Sequence, residues 1–199
     1  MALAPPAATA QPPGFEPAPL LLPSNLRLTP EQFEQVCQAN PQAVLELTAD
    51  GLLIVMTPTG GETGSRNSRL LIQLGLALTR GQPSLRIFDS STGFLLPDGS
   101  VLSPEQRRRF PPLCPDLVVE LVSPSDTGPR SITALRRKMD LYQANGVRLG
   151  WLLLPQERAV EIWRAGQQGM AQRLENANRL DGSELAEGLT LDLEDIWVV

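Results

Sequence analysis

Apolar and polar positions along the chain alternate between helical and extended spacing in short blocks. Phe33, Val36 and Cys37 put one apolar face on a stretch that opens Thr29-Pro30-Glu31-Gln32. Thr29 can cap, Pro30 suits the first helical position and Gln32 can reach back to the cap, so a helix is predicted from there to a stop at Asn40-Pro41. Positions 44–48 and 52–56 are apolar and β-prone, and Ala49-Asp50-Gly51 between them predicts a hairpin. Leu70, Leu71, Leu74, Ala77 and Leu78 recur at helical spacing and predict a second helix over about 62–80, stopped by Gly81. Positions 85–88 and 93–96 read as strands, with a tight turn at Pro97-Asp98-Gly99-Ser100. Ser103-Pro104-Glu105-Gln106 repeats the capping pattern of 29–32 and opens a short basic helix. Positions 116–122 have the β-branched density of a central strand. A third helix follows over about 131–145, closed by Gly146, and then two strands at 149–154 and 159–163 flank a turn at 155–158. Strands with interleaved helices predict an α/β fold.

Composition sharpens this picture at the N-terminus. Of 199 residues, 42% are hydrophobic and 20% charged, which suits one domain with a tail. Seven of the 19 prolines lie in the first 24 residues, where Glu16 is the only charge. Residues 1–25 are therefore expected to be a disordered Pro/Ala-rich tail, and 26–199 a domain able to bury a core without disulfides. The start MALAPPAATA has no basic region, prolines interrupt any apolar run, and no segment approaches the ~20 apolar residues of a membrane span. A cytoplasmic protein without a membrane partner is the expectation.

Charge and residue types exclude several chemistries. A net charge of −5 rules out holding nucleic acid through a bulk positive field. The absence of histidine removes imidazole bases, histidine triads and histidine-containing zinc sites, leaving carboxylates, lysine and hydroxyls. Cys37 and Cys114 have no metal-ligand spacing and read as reduced, buried side chains. Glycines 60, 61 and 64 lack the following Gly-Lys-Ser/Thr of a phosphate loop and read as a turn. Glu120 is different, because a carboxylate inside an apolar strand must be solvated, paired or bound to a cation.

The motifs LELTADGLLIVMTPTGGETG, FDSSTGFLLPDG, FPPLCPDLVVELVSPSD and KMDLYQANGVRLGWLLLP occur in that order. Together they resemble the Uma-type restriction endonucleases, members of the PD-(D/E)XK nuclease superfamily, from about Leu26 to the C-terminus. The resemblance implies a restriction-endonuclease-like core, a mixed central sheet flanked by helices. It further implies DNA as partner and Mg²⁺ as cofactor, held by an Asp and a Glu, with a Lys that orients or activates water.

On this pattern Glu120 matches the second carboxylate and is a metal ligand and catalytic residue. Val122 stands where the E-X-K lysine would be, and Lys138 matches a lysine drawn from the following helix. A helical wheel at about 100° per residue puts Lys138 roughly 65° from the stripe of Ile132, Leu135, Met139 and Tyr142, with Arg137 almost opposite. Lys138 can therefore reach the Glu120 strand end or merely cover a helix edge.

The first acid of the pattern is missing: the chain passes from LPDGSV straight to LSPEQRRRF, as if the Asp strand and its loop were lost. Glu105 is a candidate metal ligand in its place, but its neighbours favour a helix-start role. Asp116 shares a strand face with Glu120, yet four residues at about 3.3 Å separate them by roughly 13 Å. Asp98 stays open, and Glu46, at the family's common hairpin glutamate, either supports the site or solvates its strand. Leu154 replaces a common Asp. Two functions follow: a metal-dependent DNA endonuclease with an incomplete site, or a catalytically silent relative that binds nucleic acid or protein. The sheet edge exposed by a lost strand also allows pairing with a second copy.

Overall fold

The structure, a computed structural model, describes residues 23, 25–47, 50–56, 60–79, 85–89, 114–124, 126, 131–167 and 171–198. The expected tail except Pro23 and Asn25, the strand at 93–96, the turn containing Asp98 and the helix start containing Glu105 lie outside the described residues. Helix α1 (Pro30–Ala39) begins in a complete capping box: the Thr29 hydroxyl accepts from the Gln32 N–H, and the Gln32 side chain accepts from the Thr29 N–H. Strands β1 (Val44–Leu47) and β2 (Leu53–Met56) form the antiparallel hairpin. Gly51, at φ +82°, makes its turn. Helix α2 (Gly61–Thr79) follows.

The main sheet has the order β3 (Leu117–Leu121), β4 (Leu149–Leu154), β5 (Ala159–Arg164), β6 (Gln172–Glu175). It is mixed, since β3 and β4 are parallel while the other two pairings are antiparallel. Helix α3 (Ile132–Ala144) crosses between β3 and β4, capped by the Ser131 side chain. Every residue of β4 is buried, as a strand covered on both faces requires.

Alternation along β4 assigns the two faces. Leu149, Trp151 and Leu153 pack with Leu70 of α2 and with Leu180, Leu191 and Ile196 from the C-terminal region. Leu152 and Leu154 face α3, whose Met139 is fully buried. Gly150 permits that approach, because a Cβ there would stand 2.6 Å from Met139 Cε. The second face is closed by β7 (Arg179–Asp181), β8 (Thr190–Asp192) and α4 (Glu194–Trp197). Arg66 of α2 ties α4 down by donating to the Ile196 carbonyl.

Several expectations are corrected. Residues 85–89 form no strand and are exposed, because β-propensity alone does not make a ladder. Among the described residues β3 pairs with β4. Strands β6 to β8 and α4 had no counterpart in the hydrophobic pattern. Cys37 and Cys114 are free thiols but half-buried, and burial pushes the Cys114 thiol up to about 11.

Candidate active site

Period-two alternation in β3 sends Leu117, Val119 and Leu121 toward the α2 side of the sheet. Val118 and Val122 join the core under α3, which places Glu120, between them, on the same face. One face of α3 packs there through Ile132, Leu135, Met139 and Tyr142. Lys138 borders that stripe, with its side chain 19% exposed. Its long stem lies along the core and its ammonium reaches the strand end.

The ammonium meets two carboxylates. Lys138 Nζ stands 2.7 Å from Glu120 Oε1 and 2.8 Å from Glu46 Oε1. Glu46 arrives from β1, where it sits between Leu45 and Leu47 and opposite Ile54. The two carboxylates are 24% and 21% exposed, so the trio is partly desolvated but open to water. The Tyr142 ring, one helical turn beyond Lys138, lies 5.9 Å from Nζ.

These contacts set the charge state. Burial by itself would lower the Lys138 pKa, but Glu120 and Glu46 outweigh it and hold the ammonium well above the ordinary lysine range. Burial pushes the Tyr142 hydroxyl up despite the nearby ammonium. Lys138 is therefore a fixed cation at neutral pH, and Tyr142 a neutral phenol.

The turn after β3 is anchored on both sides. The Ser123 N–H donates to Asp126 Oδ2 at 2.6 Å, and the Thr63 hydroxyl in the first turn of α2 donates to Ser123 Oγ at 3.2 Å. Val122 supplies only hydrocarbon to the core under α3. Leu154 is buried in the same cluster.

The residues singled out in the sequence thus divide. Glu120, Lys138 and Glu46 come together. Asp116 does not: it precedes β3, its side chain is 67% exposed, and it faces Arg148 at 3.7 Å. The backbone carbonyl of Asp116 instead accepts from Arg148 and Leu149, helping to set the β3–β4 register. Tyr142 entered the sequence pattern only as a core position. Glu161 was missed altogether, although the string AVEIW carries the same embedded glutamate as VVEL. It is buried and bound by the Arg136 fork at 2.8 and 2.5 Å. Among the described residues no cluster of three or more Asp, Glu, Cys or His side chains is placed to hold a metal ion. No helix among them is long and apolar enough to cross a membrane.

Known proteins share this fold and family. The chain shares a fold with the crystal structure of a putative nuclease belonging to DUF820 from Anabaena variabilis, at a TM-score of 0.60 and 18% identity. The match covers 85% of this chain and 97% of that one. No curated protein matches the chain. The Uma2 family, of putative restriction endonucleases, matches residues 30–194, a span that contains both strands and the helix that build the Glu46–Lys138–Glu120 trio. With most of its length so matched, the chain belongs to the Uma2 family of putative restriction endonucleases.

Proposed function

We propose that this protein is a metal-dependent endonuclease that hydrolyses DNA phosphodiesters at the Glu120–Lys138 pair. Its activity is low because the first acidic ligand of the family pattern, with its strand, is missing from its expected place. The observation that carries this reading is the 2.7 Å contact between a helix lysine and a partly exposed strand-end carboxylate.

The geometry defines what each group can do. Lys138 is held protonated, so it does not take a proton from water. It acts as a charged donor, orienting a phosphate oxygen or a water and stabilising negative charge that develops at phosphorus. Burial among apolar neighbours makes that charge more effective than it would be in bulk water. Mg²⁺ needs only one or two carboxylates, with water and substrate phosphate completing its shell, and the partly exposed Glu120 side chain fits that role. When bound, such a cation polarises the phosphoryl group and lowers the pKa of a bound water. The net charge of −5 means that DNA is held by local contacts.

Incubation of duplex DNA with the full chain and Mg²⁺ or Mn²⁺ tests the proposal. Weak cleavage is expected. Glu120→Gln should abolish it while the protein stays folded, and Lys138→Met should lower turnover more than metal binding. Unchanged cutting by Glu120→Gln would remove the assignment from this site.

A second reading, a silent relative that binds nucleic acid or protein, is favoured by the lack of a three-ligand cluster among the described residues. DNA binding without cleavage under every divalent cation would select it.

A further inference from the structure

We propose that the outer ridge of α2, with the groove between α2 and the β7–β8 pair, is the surface through which two copies of this chain join about a two-fold axis. The surface lies outside the Glu120–Lys138 site, and the inference does not depend on the nuclease reading.

Helix α2 turns Leu70 and Leu74 inward, the latter against Ala186 and Leu189 of the segment that joins β7 to β8. On its outer side Ile72 and Leu76, one turn apart, are 62% and 54% exposed. Exposed apolar residues scattered singly are ordinary, but two in register on one helix make a ridge. Beside the ridge lies an open groove of about 520 Å³, with Leu76 and Ala77 of α2 on one side and Gly188 and Thr190 on the other. At Gly75, three residues beyond Ile72, an added Cβ would meet no described atom within 4 Å. The described packing of the chain therefore does not call for a glycine there, and a glycine inside a helix costs stability relative to alanine. A bare backbone at that point lets a second helix come close.

The patch itself says what covers it. A surface for a foreign partner needs only one half of a contact, whereas this one carries both halves, an apolar ridge and a groove that can receive a ridge. Its charges are arranged the same way. Arg179, Glu187 and Asp192, all exposed, line the groove together. Thr190 Oγ1 accepts from Arg179 Nη2 at 3.2 Å, which holds the guanidinium at the groove with further N–H donors left for a carboxylate. The chain as a whole carries a charge of −5 and repels its own copy at long range. At this patch, however, a two-fold rotation brings Arg179 of each copy to Glu187 of the other, so the surface is complementary to itself.

Analytical ultracentrifugation of the full chain over a wide concentration series is the test, with thermal melts to check folding. The chain should show a reversible monomer–dimer equilibrium. Ile72→Glu, at an exposed position, should weaken pairing about tenfold or more while the protein stays folded. Gly75→Leu should weaken it as well, by holding the two helices apart, and stands in for Ile72→Glu if that variant melts early. The deciding experiment is a charge exchange. Arg179→Glu and Glu187→Arg, each alone, set like charges against each other across the axis and should pair weakly. Mixed together they restore both contacts, so the two variants should form heterodimers where neither forms a homodimer. A chain that is monomeric throughout the series, dimers indifferent to Ile72→Glu and Gly75→Leu, or charge variants that fail to rescue one another each overturn the inference. A chain that pairs only after residues 1–24 are removed overturns it too, because the tail then occupies the groove in the full protein.

Discussion

Glutamates interrupt apolar strands at Glu120 in β3 and Glu161 in β5, and α3 sends a cation to each. Their fates differ because of those partners. Glu161 is buried, gripped by the Arg136 fork and by Arg173 at 3.3 Å, and both arginines have solvent on their other side. Hydrogen bonds from Arg136 outweigh burial and hold its carboxyl below the usual glutamate range. Among the described residues Glu120 has the shared Lys138 as its side-chain partner and stays partly exposed. Because the folded state binds a proton at Glu161 less readily than the unfolded chain, this contribution is complete above the ordinary glutamate pKa. It is lost as pH falls through the lower folded value. Glu161→Gln should cost about 2 kcal/mol near neutral pH. Urea unfolding across a pH series should show the variant and wild type converging in acid. A constant gap down to the lowest pH would place the effect in packing rather than charge.

At the scale of elements, α3 and the first hairpin do most to assemble the site. Helix α3 closes onto the sheet where Gly150 leaves room for Met139, and that depth brings Lys138 within reach of Glu120. The hairpin holds Glu46 in place through a turn that only glycine suits: Gly51 has φ +82°, and a Cβ there would stand 2.7 Å from the Leu28 carbonyl oxygen. Gly51→Ala should therefore destabilise the protein by about 1–3 kcal/mol, read as a lower denaturation midpoint. It should also loosen the Glu46–Lys138 contact. An unchanged midpoint would mean that the turn rearranges at little cost. The hairpin, the capping box of α1 and the span of α3 were all legible in the sequence, because turn and capping chemistry is local. Strands β6 to β8 were not, because Gln172–Glu175, Arg179–Asp181 and Thr190–Asp192 are short and largely polar. Strand β6 is held as a strand by the open edge of β5, while β7 and β8 pair and bury Leu180 and Leu191 against the sheet.

For the whole molecule, the described contacts begin close to the boundary that proline content draws. Arg27 bridges to Leu52, and the Leu28 N–H donates to the Gly51 carbonyl. Removing residues 1–24 leaves both in place, so the melting temperature should stay nearly unchanged in a thermal scan. A fall of more than a few degrees would show that Leu20 to Leu22 pack on the domain. By itself the sequence determined what depends on neighbours along the chain: α/β alternation, caps, the hairpin turn, and the presence of a carboxylate in an apolar strand that needs a partner. It also narrowed Lys138 to a helix edge near the core, since helical angle follows directly from residue number. Only the tertiary structure decided which partner each charge receives. Glu46 and Lys138 are 92 positions apart and Arg136 and Glu161 are 25 apart. Their pairing depends on how deeply α3 packs and where the hairpin lies, which are set by buried volume and sheet register rather than by local propensity.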